Sequence, residues 1–217
     1  RGNATASLNT GQNNIAIGDQ ALRVNSSGRY NTVIGNQVLY LNSGGSFNVA
    51  AGHQALYNNT TGSCNTATGF YSLYYNNIGG NNTAFGYESM YSNQEGNNNV
   101  AIGYNASYSN NYYGYNTAVG SSAGEPYIYS LSTFLGAAAS PNANSLTNCM
   151  ALGYNAKVNA SNRVVIGNTA VTSIGGYANW SNFSDGRFKK NITENVPGLS
   201  FIRLLKPVTY NLDIQLL

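Results

Sequence analysis

Charge is scarce in this sequence. Charged residues make up only 8% of the 217 residues, and no lysine or arginine occurs between Tyr30 and Ala156. All ten lysines and arginines therefore lie towards the two ends of the chain. Because nucleic-acid binding needs a continuous basic surface to neutralise phosphates, we expect no nucleic-acid partner. A chain with so little surface charge is instead expected to associate with other chains.

Long hydrophobic runs and a cysteine framework are also missing. No stretch approaches the roughly 20 apolar residues that span a bilayer, so we expect no membrane segment within this sequence. Cys64 and Cys149 lie far apart in the chain, which is more typical of unpaired cysteines than of a disulfide. The sequence begins at Arg1 without a methionine or a signal peptide, and we expect a fragment or a processed product.

A repeat of 17 residues dominates what is present. The repeated glycines are Gly18, Gly35, Gly52, Gly69, Gly86, Gly103 and Gly120. An asparagine precedes each of them by four positions, at Asn14, Asn31, Asn48, Asn65, Asn82, Asn99 and Asn116. A second asparagine row comprises Asn25, Asn42, Asn59, Asn76, Asn93 and Asn110. The tyrosine row comprises Tyr40, Tyr57, Tyr74, Tyr91 and Tyr108, each but the last preceded by a leucine or methionine.

Each unit contains a short run of small and β-branched residues, which favours a strand. One unit is too small to bury its own apolar side chains, so successive units must stack. The sequence therefore predicts an all-β fold, a parallel β-roll or β-solenoid of 17-residue coils spaced by about 4.8 Å. In such a fold the asparagines would bond amide to amide and the tyrosines would stack ring on ring. The glycines would mark positions of positive φ or of close backbone approach.

Both faces of the predicted strand are apolar. The row that begins with Ala16 and Val33 alternates with the row that begins with Ile17 and Ile34, and neighbouring strand residues point to opposite faces. One row can fill the interior of the coil, whereas the other needs a partner. Three-fold packing about an axis would cover it, so we expect a homotrimeric fibre. The sequence leaves open which row faces inward.

The repeat predicts four regions. Regular coils occupy residues 1–125, and an irregular continuation occupies 126–170, where the pattern returns at Leu135–Gly136, Leu152–Gly153 and Ile166–Gly167. Residues 171–183, which include the only tryptophan, Trp180, are expected to form a neck. Residues 184–217 form a separate, short mixed segment.

Units such as Asn65-Thr66-Ala67-Thr68-Gly69 resemble the head repeats of trimeric autotransporter adhesins. The resemblance covers roughly residues 10 to 170. It implies left-handed parallel β-rolls from three chains, side by side, that bind host matrix or other surfaces.

Residues 183–192, Phe-Ser-Asp-Gly-Arg-Phe-Lys-Lys-Asn-Ile, and 204–210, Leu-Leu-Lys-Pro-Val-Thr-Tyr, resemble the start of the intramolecular chaperone domain of endosialidase-type phage tailspikes. The resemblance implies that residues 184–217 are the N-terminal part of a domain that trimerises the fibre and then cuts itself off. By this resemblance Ser184 is the nucleophile, Lys189 its base, and Ser184–Asp185 the scissile bond. The intact chain across that bond leaves open whether cleavage occurs here.

Candidate catalytic and metal-binding groups are few. His53 is the only histidine, and its row holds unlike residues in other units, so we expect a surface corner rather than a metal ligand. Glycosidase chemistry needs two carboxylates held close together. Glu88 and Glu95 share one unit and Glu125 stands alone, so we expect neither an enzyme, self-cleavage aside, nor a metal or cofactor.

The sequence therefore favours a structural or adhesive fibre, either a surface adhesin or a tail-fibre shaft. We expect it at the cell surface, outside the cell, or on a virion or injection machine, with a surface glycan or protein as its receptor. One alternative is a polysaccharide-degrading tailspike enzyme. Another is an ice-binding solenoid, suggested by Thr32, Thr66, Thr83 and Thr117. Valine and isoleucine interrupt that threonine row, which favours its burial.

Overall fold

The computed structural model describes residues 10–176, which form a parallel β-solenoid of short strands and turns without a helix. Ten strands form one sheet: β1 (Ile15–Ile17), β3 (Thr32–Ile34), β5 (Val49–Ala51), β6 (Thr66–Thr68), β7 (Thr83–Phe85), β8 (Val100–Ile102), β9 (Thr117–Val119), β11 (Thr133–Leu135), β14 (Met150–Leu152) and β16 (Val164–Ile166). Six strands of two residues pair elsewhere on the coils: β2 (Val24–Asn25) with β4 (Leu41–Asn42), β10 (Tyr129–Ser130) with β13 (Leu146–Thr147), and β12 (Ser140–Pro141) with β15 (Lys157–Val158).

The register of the ten-stranded sheet follows the sequence repeat. Ala67 of β6 pairs with Ala84 of β7, a step of 17 residues, and the same step joins each pair of neighbours from β1 to β9. The step is 16 between Ala118 and Phe134 and 14 between Ala151 and Val165. The prediction of an all-β fold of stacked parallel coils is therefore confirmed, and the sheet continues unbroken through the irregular part of the repeat.

The interior of each coil is narrow. The alanine row of the ten-stranded sheet points inward, and Ala50, Ala67 and Ala84 are buried. Leu56 and Leu73 are also fully buried and belong to the same core as these alanines. The core of each coil thus combines a short strand residue with a larger side chain from later in the unit. This assigns the alternating row that begins with Ile17 to the outer face.

The first asparagine row bonds mainly to backbone. The side-chain oxygen of Asn48 accepts from the backbone N–H of Asn65 at 2.9 Å, and its Nδ2 donates to the carbonyl of Gly62 at 3.0 Å. The chain bends just before each strand. The asparagine of the preceding coil accepts a hydrogen bond from the backbone N–H at that bend. Amide-to-amide bonds also occur in this row, for example from Asn48 Nδ2 to Asn31 Oδ1 at 3.0 Å.

The second asparagine row bonds amide to amide as its main contact. Asn76 Nδ2 donates to Asn59 Oδ1 at 2.8 Å and also to the carbonyl of Gly79 at 2.8 Å. Because these groups are buried, each needs a partner within the protein. The two rows together therefore supply polar contacts between coils at two corners.

The turn directly after each strand of the regular coils is named the glycine corner, because it requires glycine. Gly69, which follows β6, is an example. Its φ is +135°, and a Cβ there would lie 2.3 Å from the carbonyl oxygen of Gly86 in the next coil. No other residue fits both conditions, because a side chain would clash with backbone that cannot move independently.

The chain divides into two units between Ser173 and Ile174. Of the predicted neck, only residues 171–176 are described, and they contain no strand. The predicted chaperone segment, 184–217, lies outside the described residues.

Candidate binding surfaces

The outer face of the ten-stranded sheet is uncharged, largely apolar and open within the single chain. One outward row comprises Ile17, Ile34, Ala51, Thr68, Phe85, Ile102, Val119, Leu135, Leu152 and Ile166. Phe85 is 57% exposed, and Ile17, Ile34, Ile102 and Leu135 are exposed too. Nine strand spacings of about 4.8 Å make this face roughly 43 Å long. An exposed apolar surface of that extent is typical of an interaction site.

The threonine row lies on the same face. It comprises Ile15, Thr32, Val49, Thr66, Thr83, Val100, Thr117, Thr133, Met150 and Val164. Thr66 and Thr83 are exposed, so the expected burial of this row is wrong within one chain. The interior has room for only one row of each strand, and the alanines occupy it.

Exposed aromatic residues also flank the outer face of the sheet, just before and just after its strands. Before the strands, Tyr30 and Phe47 stack at 5.1 Å, and both are exposed. After the strands, the rings of His53, Phe70, Tyr87 and Tyr104 stack at successive distances of 4.8, 5.5 and 5.3 Å. His53 is thus part of an aromatic row. Sequence reasoning missed this row, although the spacing of 17 between its aromatic residues was a usable signal.

The tyrosine row forms a continuous stack on another side of the coil. Successive ring centroids from Tyr40 to Tyr108 are 4.9, 5.1, 5.2 and 4.9 Å apart. Arg23 Nη1 donates to the Tyr40 hydroxyl at 2.9 Å, and its guanidinium carbon lies 5.6 Å from the centroid of that ring. Burial of the hydroxyls raises the pKa of Tyr57 and Tyr74 above the usual value.

A groove lies beside this stack. It has a volume of about 340 Å³ and is lined by Leu41, Asn58, Thr60, Tyr75, Asn77 and Gln94. The Tyr75 ring is 44% exposed and stands nearly perpendicular to the rings of Tyr74 and Tyr91, at angles of 84° and 90°. None of the lining residues belongs to the ten-stranded sheet. The sequence did not reveal this groove, because it depends on departures from the repeat in several different coils.

Glu125, the acidic residue that stands alone in its unit, uses both oxygens of its carboxylate to bind Ser109. Glu125 Oε1 accepts from the backbone N–H of Ser109 at 2.7 Å, and Oε2 accepts from the Ser109 hydroxyl at 2.9 Å. Burial raises the pKa of this carboxyl in spite of those hydrogen bonds. Its contacts are those of a residue that fixes a turn. Within residues 10–176, no three His, Cys, Asp or Glu side chains are grouped so as to hold a metal ion.

A serine and a lysine meet near the end of the described solenoid. Lys157 Nζ donates to the hydroxyl of Ser140 at 2.7 Å and to the carbonyl of Ala138 at 2.8 Å, and burial lowers the pKa of Lys157. Ser140 is fully buried, so a substrate cannot reach its hydroxyl. This pair therefore stabilises the coil.

The cysteines are both free. Cys64 is exposed, whereas Cys149 is buried and its sulfur lies 3.1 Å from the Ser132 hydroxyl. Ser184, Asp185 and Lys189, predicted for self-cleavage, lie outside the described residues. Residues 10–176 also contain no helix of the length and hydrophobicity that crossing a membrane requires.

No protein-family model, curated protein or solved structure matches this chain. The resemblances to autotransporter heads and to the tailspike chaperone domain therefore stay predictions.

Proposed function

We propose that this chain forms the shaft of a homotrimeric, non-enzymatic surface fibre, such as an adhesin or a tail fibre. The observation that carries the proposal is the open apolar face of the ten-stranded sheet. Full burial of one isoleucine or phenylalanine side chain contributes about 1.5–3 kcal/mol. Association through this face would therefore offset the entropic cost of bringing chains together.

The width of the exposed apolar surface favours two neighbours over one. It covers the outer face of the sheet and continues past the ends of the strands. Tyr30 and Phe47 lie before the strands, and Phe70, Tyr87 and Tyr104 lie after them. A single partner sheet, packed face to face, would leave these flanking aromatic rings in water. In a closed three-fold arrangement, each chain contacts one neighbour on each flank.

Low charge fits the same proposal. The ten-stranded sheet has no charged side chain in any of its strands, so packing there desolvates no ion. A solenoid of stacked coils also grows in one direction, which suits a long projecting fibre.

The competing functions have weaker support. A depolymerase needs two carboxylates that face each other, whereas Glu125 is held by Ser109. An ice-binding surface needs a regular threonine array, whereas the outward row changes to valine at Val49 and Val100.

A matched pair of glutamate substitutions tests the proposal. Phe85→Glu places a charge at the centre of the open face, and we expect it to convert a three-chain species to monomers. Ile78→Glu is the control, because Ile78 is 49% exposed and occupies the repeat position that holds Glu95 in the next unit. Sedimentation equilibrium measures both masses. A Phe85→Glu protein with the same assembly state as the Ile78→Glu protein would contradict the proposed interface.

A further inference from the structure

We propose that the groove formed by Leu41, Asn58, Thr60, Tyr75, Asn77 and Gln94 binds a neutral saccharide. Its lining residues lie on the tyrosine-row side of the coil, outside the ten-stranded sheet and its flanking aromatic rows. The site therefore does not depend on how, or whether, that sheet is covered.

Tyr75 supplies a flat surface for stacking. The centroid of its ring lies 4.6 Å from that of Tyr74 and 5.3 Å from that of Tyr91, in edge-to-face contact with both. These contacts hold the exposed ring in place before a ligand arrives, so little conformational entropy is lost on binding. The C–H groups on one face of a sugar ring are apolar and slightly positive, and they complement the negative face of an aromatic ring.

Unpaired amides surround that ring. Thr60 Oγ1 shares its single proton between the carbonyl of Asn77, at 2.7 Å, and the side-chain oxygen of Asn77, which orients this amide. Asn77 Nδ2 and the side-chain amides of Asn58 and Gln94 have no hydrogen-bond partner among the described residues. The neighbouring Asn59 and Asn76, by contrast, use their amides in the buried ladder. The free amides offer donors and acceptors that sugar hydroxyls can bridge.

The charge and shape of the groove select the ligand class. None of the six lining residues is charged, so an acidic sugar or a nucleotide would find no cation there. Only Leu41 and Tyr75 are apolar, which is too little to anchor a hydrophobic peptide side chain. The volume of about 340 Å³ lies near the lower end of the range for small-ligand sites.

The position of Tyr75 makes this groove distinct from its equivalents in other coils. The same repeat position holds Val24, Leu41, Asn58, Ser92 and Ser109 elsewhere. We therefore infer one aromatic sugar site among the regular coils that the structure describes. If the chains assemble as proposed, several copies on one fibre would convert weak single-site binding into strong attachment.

Saturation-transfer NMR with the full chain tests the inference. The probes are tetrasaccharides of glucose, galactose and N-acetylglucosamine, together with a sialylated trisaccharide. We expect at least one neutral probe to bind with millimolar or better affinity, with its ring C–H protons closest to the protein, and the sialylated probe to bind at least tenfold more weakly.

Four variants locate the site. Tyr75→Ala should lower affinity at least tenfold, Tyr75→Phe should keep most of it, and Gln94→Ala should lower it severalfold. Tyr112→Ala is the control, because Tyr112 is also exposed and lies outside the groove. If Tyr75→Ala does not fold, Gln94→Ala still decides the question.

Three results would overturn the inference: failure of every neutral probe to bind, stronger binding of the sialylated probe, or unchanged affinity of either Gln94→Ala or a folded Tyr75→Ala. The assembly mass is measured separately, so failure here leaves the proposed fibre untouched.

Discussion

Asn59 Nδ2 donates to Asn42 Oδ1 over 2.9 Å, which joins two coils whose asparagines are 17 residues apart in sequence. The same nitrogen also donates to the carbonyl of Gly62 within its own coil, at 2.8 Å. The Asn59 side chain thus stabilises a turn in its own coil and links that turn to the preceding coil. Because such contacts recur along the second asparagine row, the stability of the solenoid is expected to be a sum of similar terms between adjacent coils.

Removal of one ladder amide should be costly. Asn59→Ala loses three hydrogen bonds, including the one accepted from Asn76, at a net cost of about 1 kcal/mol each and more for the buried groups left unpaired. We expect the free energy of unfolding to fall by about 3 kcal/mol or more in a denaturant titration. Asn58→Ala is the control, because that side chain lies in the groove, and its expected change is below about 0.5 kcal/mol. Equal losses for the two variants would contradict the ladder.

The glycine corner should reject even a methyl group. Gly69→Ala would place Cβ 2.3 Å from Gly86 O at a φ of +135°, so two neighbouring coils would have to separate. We expect a lower melting temperature and faster amide exchange in these coils. Gly44→Ala is the matched control, since the nearest atom to a methyl group at that position would be Ser27 Oγ at 3.5 Å. A Gly69→Ala protein as stable as Gly44→Ala would contradict the close packing of the corner.

Backbone conformation should decide the effect of substitutions at Cys64. Its φ is +60°, and the same repeat position holds Asn81 and Asn98, with φ of +58°. Asparagine tolerates this left-handed conformation, whereas a β-branched side chain does not. In chemical denaturation we expect Cys64→Asn to be neutral or stabilising and Cys64→Val to lose about 1–2 kcal/mol. The opposite order would mean that side-chain packing, and not φ, governs this exposed position.

The tyrosine row should make stability depend on pH in the alkaline range. Burial is the first cause that raises the pKa of Tyr57, Tyr74 and Tyr108, so the folded chain holds these protons more tightly than the unfolded chain does. The resulting stabilisation is fully present below the pKa of unfolded tyrosine, about 10, and is lost as the pH rises through the higher folded values.

Denaturant titrations from mildly to strongly alkaline pH, with phenolate absorbance recorded in parallel, measure this effect. We expect the free energy of unfolding to decline above about pH 10. Tyr74→Phe should make the decline less steep, because it removes one of the titrating groups while it keeps the ring in the stack. A stability that rises over this pH range would contradict the assigned direction of the shifts.

The stacking of the coils could be predicted from the sequence because a constant period fixes a constant register. Ala67 pairs with Ala84 as the 17-residue step requires. The inward row could not be assigned, since alanine and isoleucine are both apolar. The assignment comes from burial, because Ala67 is fully buried whereas Phe85 of the alternating row is 57% exposed.

The candidate site was less accessible to sequence reasoning. Periodicity shows what the units share, whereas the groove results from differences among Asn58, Tyr75 and Gln94 in successive units. The distinct roles of Asn58 and Asn59 also need coordinates, because identical residue types at adjacent positions differ in burial and partners. Ser184 and Lys189 stay predictions from resemblance.

The mass of the full chain in solution tests the central claim most directly. Light scattering coupled to size exclusion would be recorded under native conditions and again after complete denaturation, across a tenfold range of concentration. We predict a native mass three times that of the denatured chain at every concentration. A native species with the mass of one chain, stable and soluble with its apolar sheet face open to water, would contradict the account.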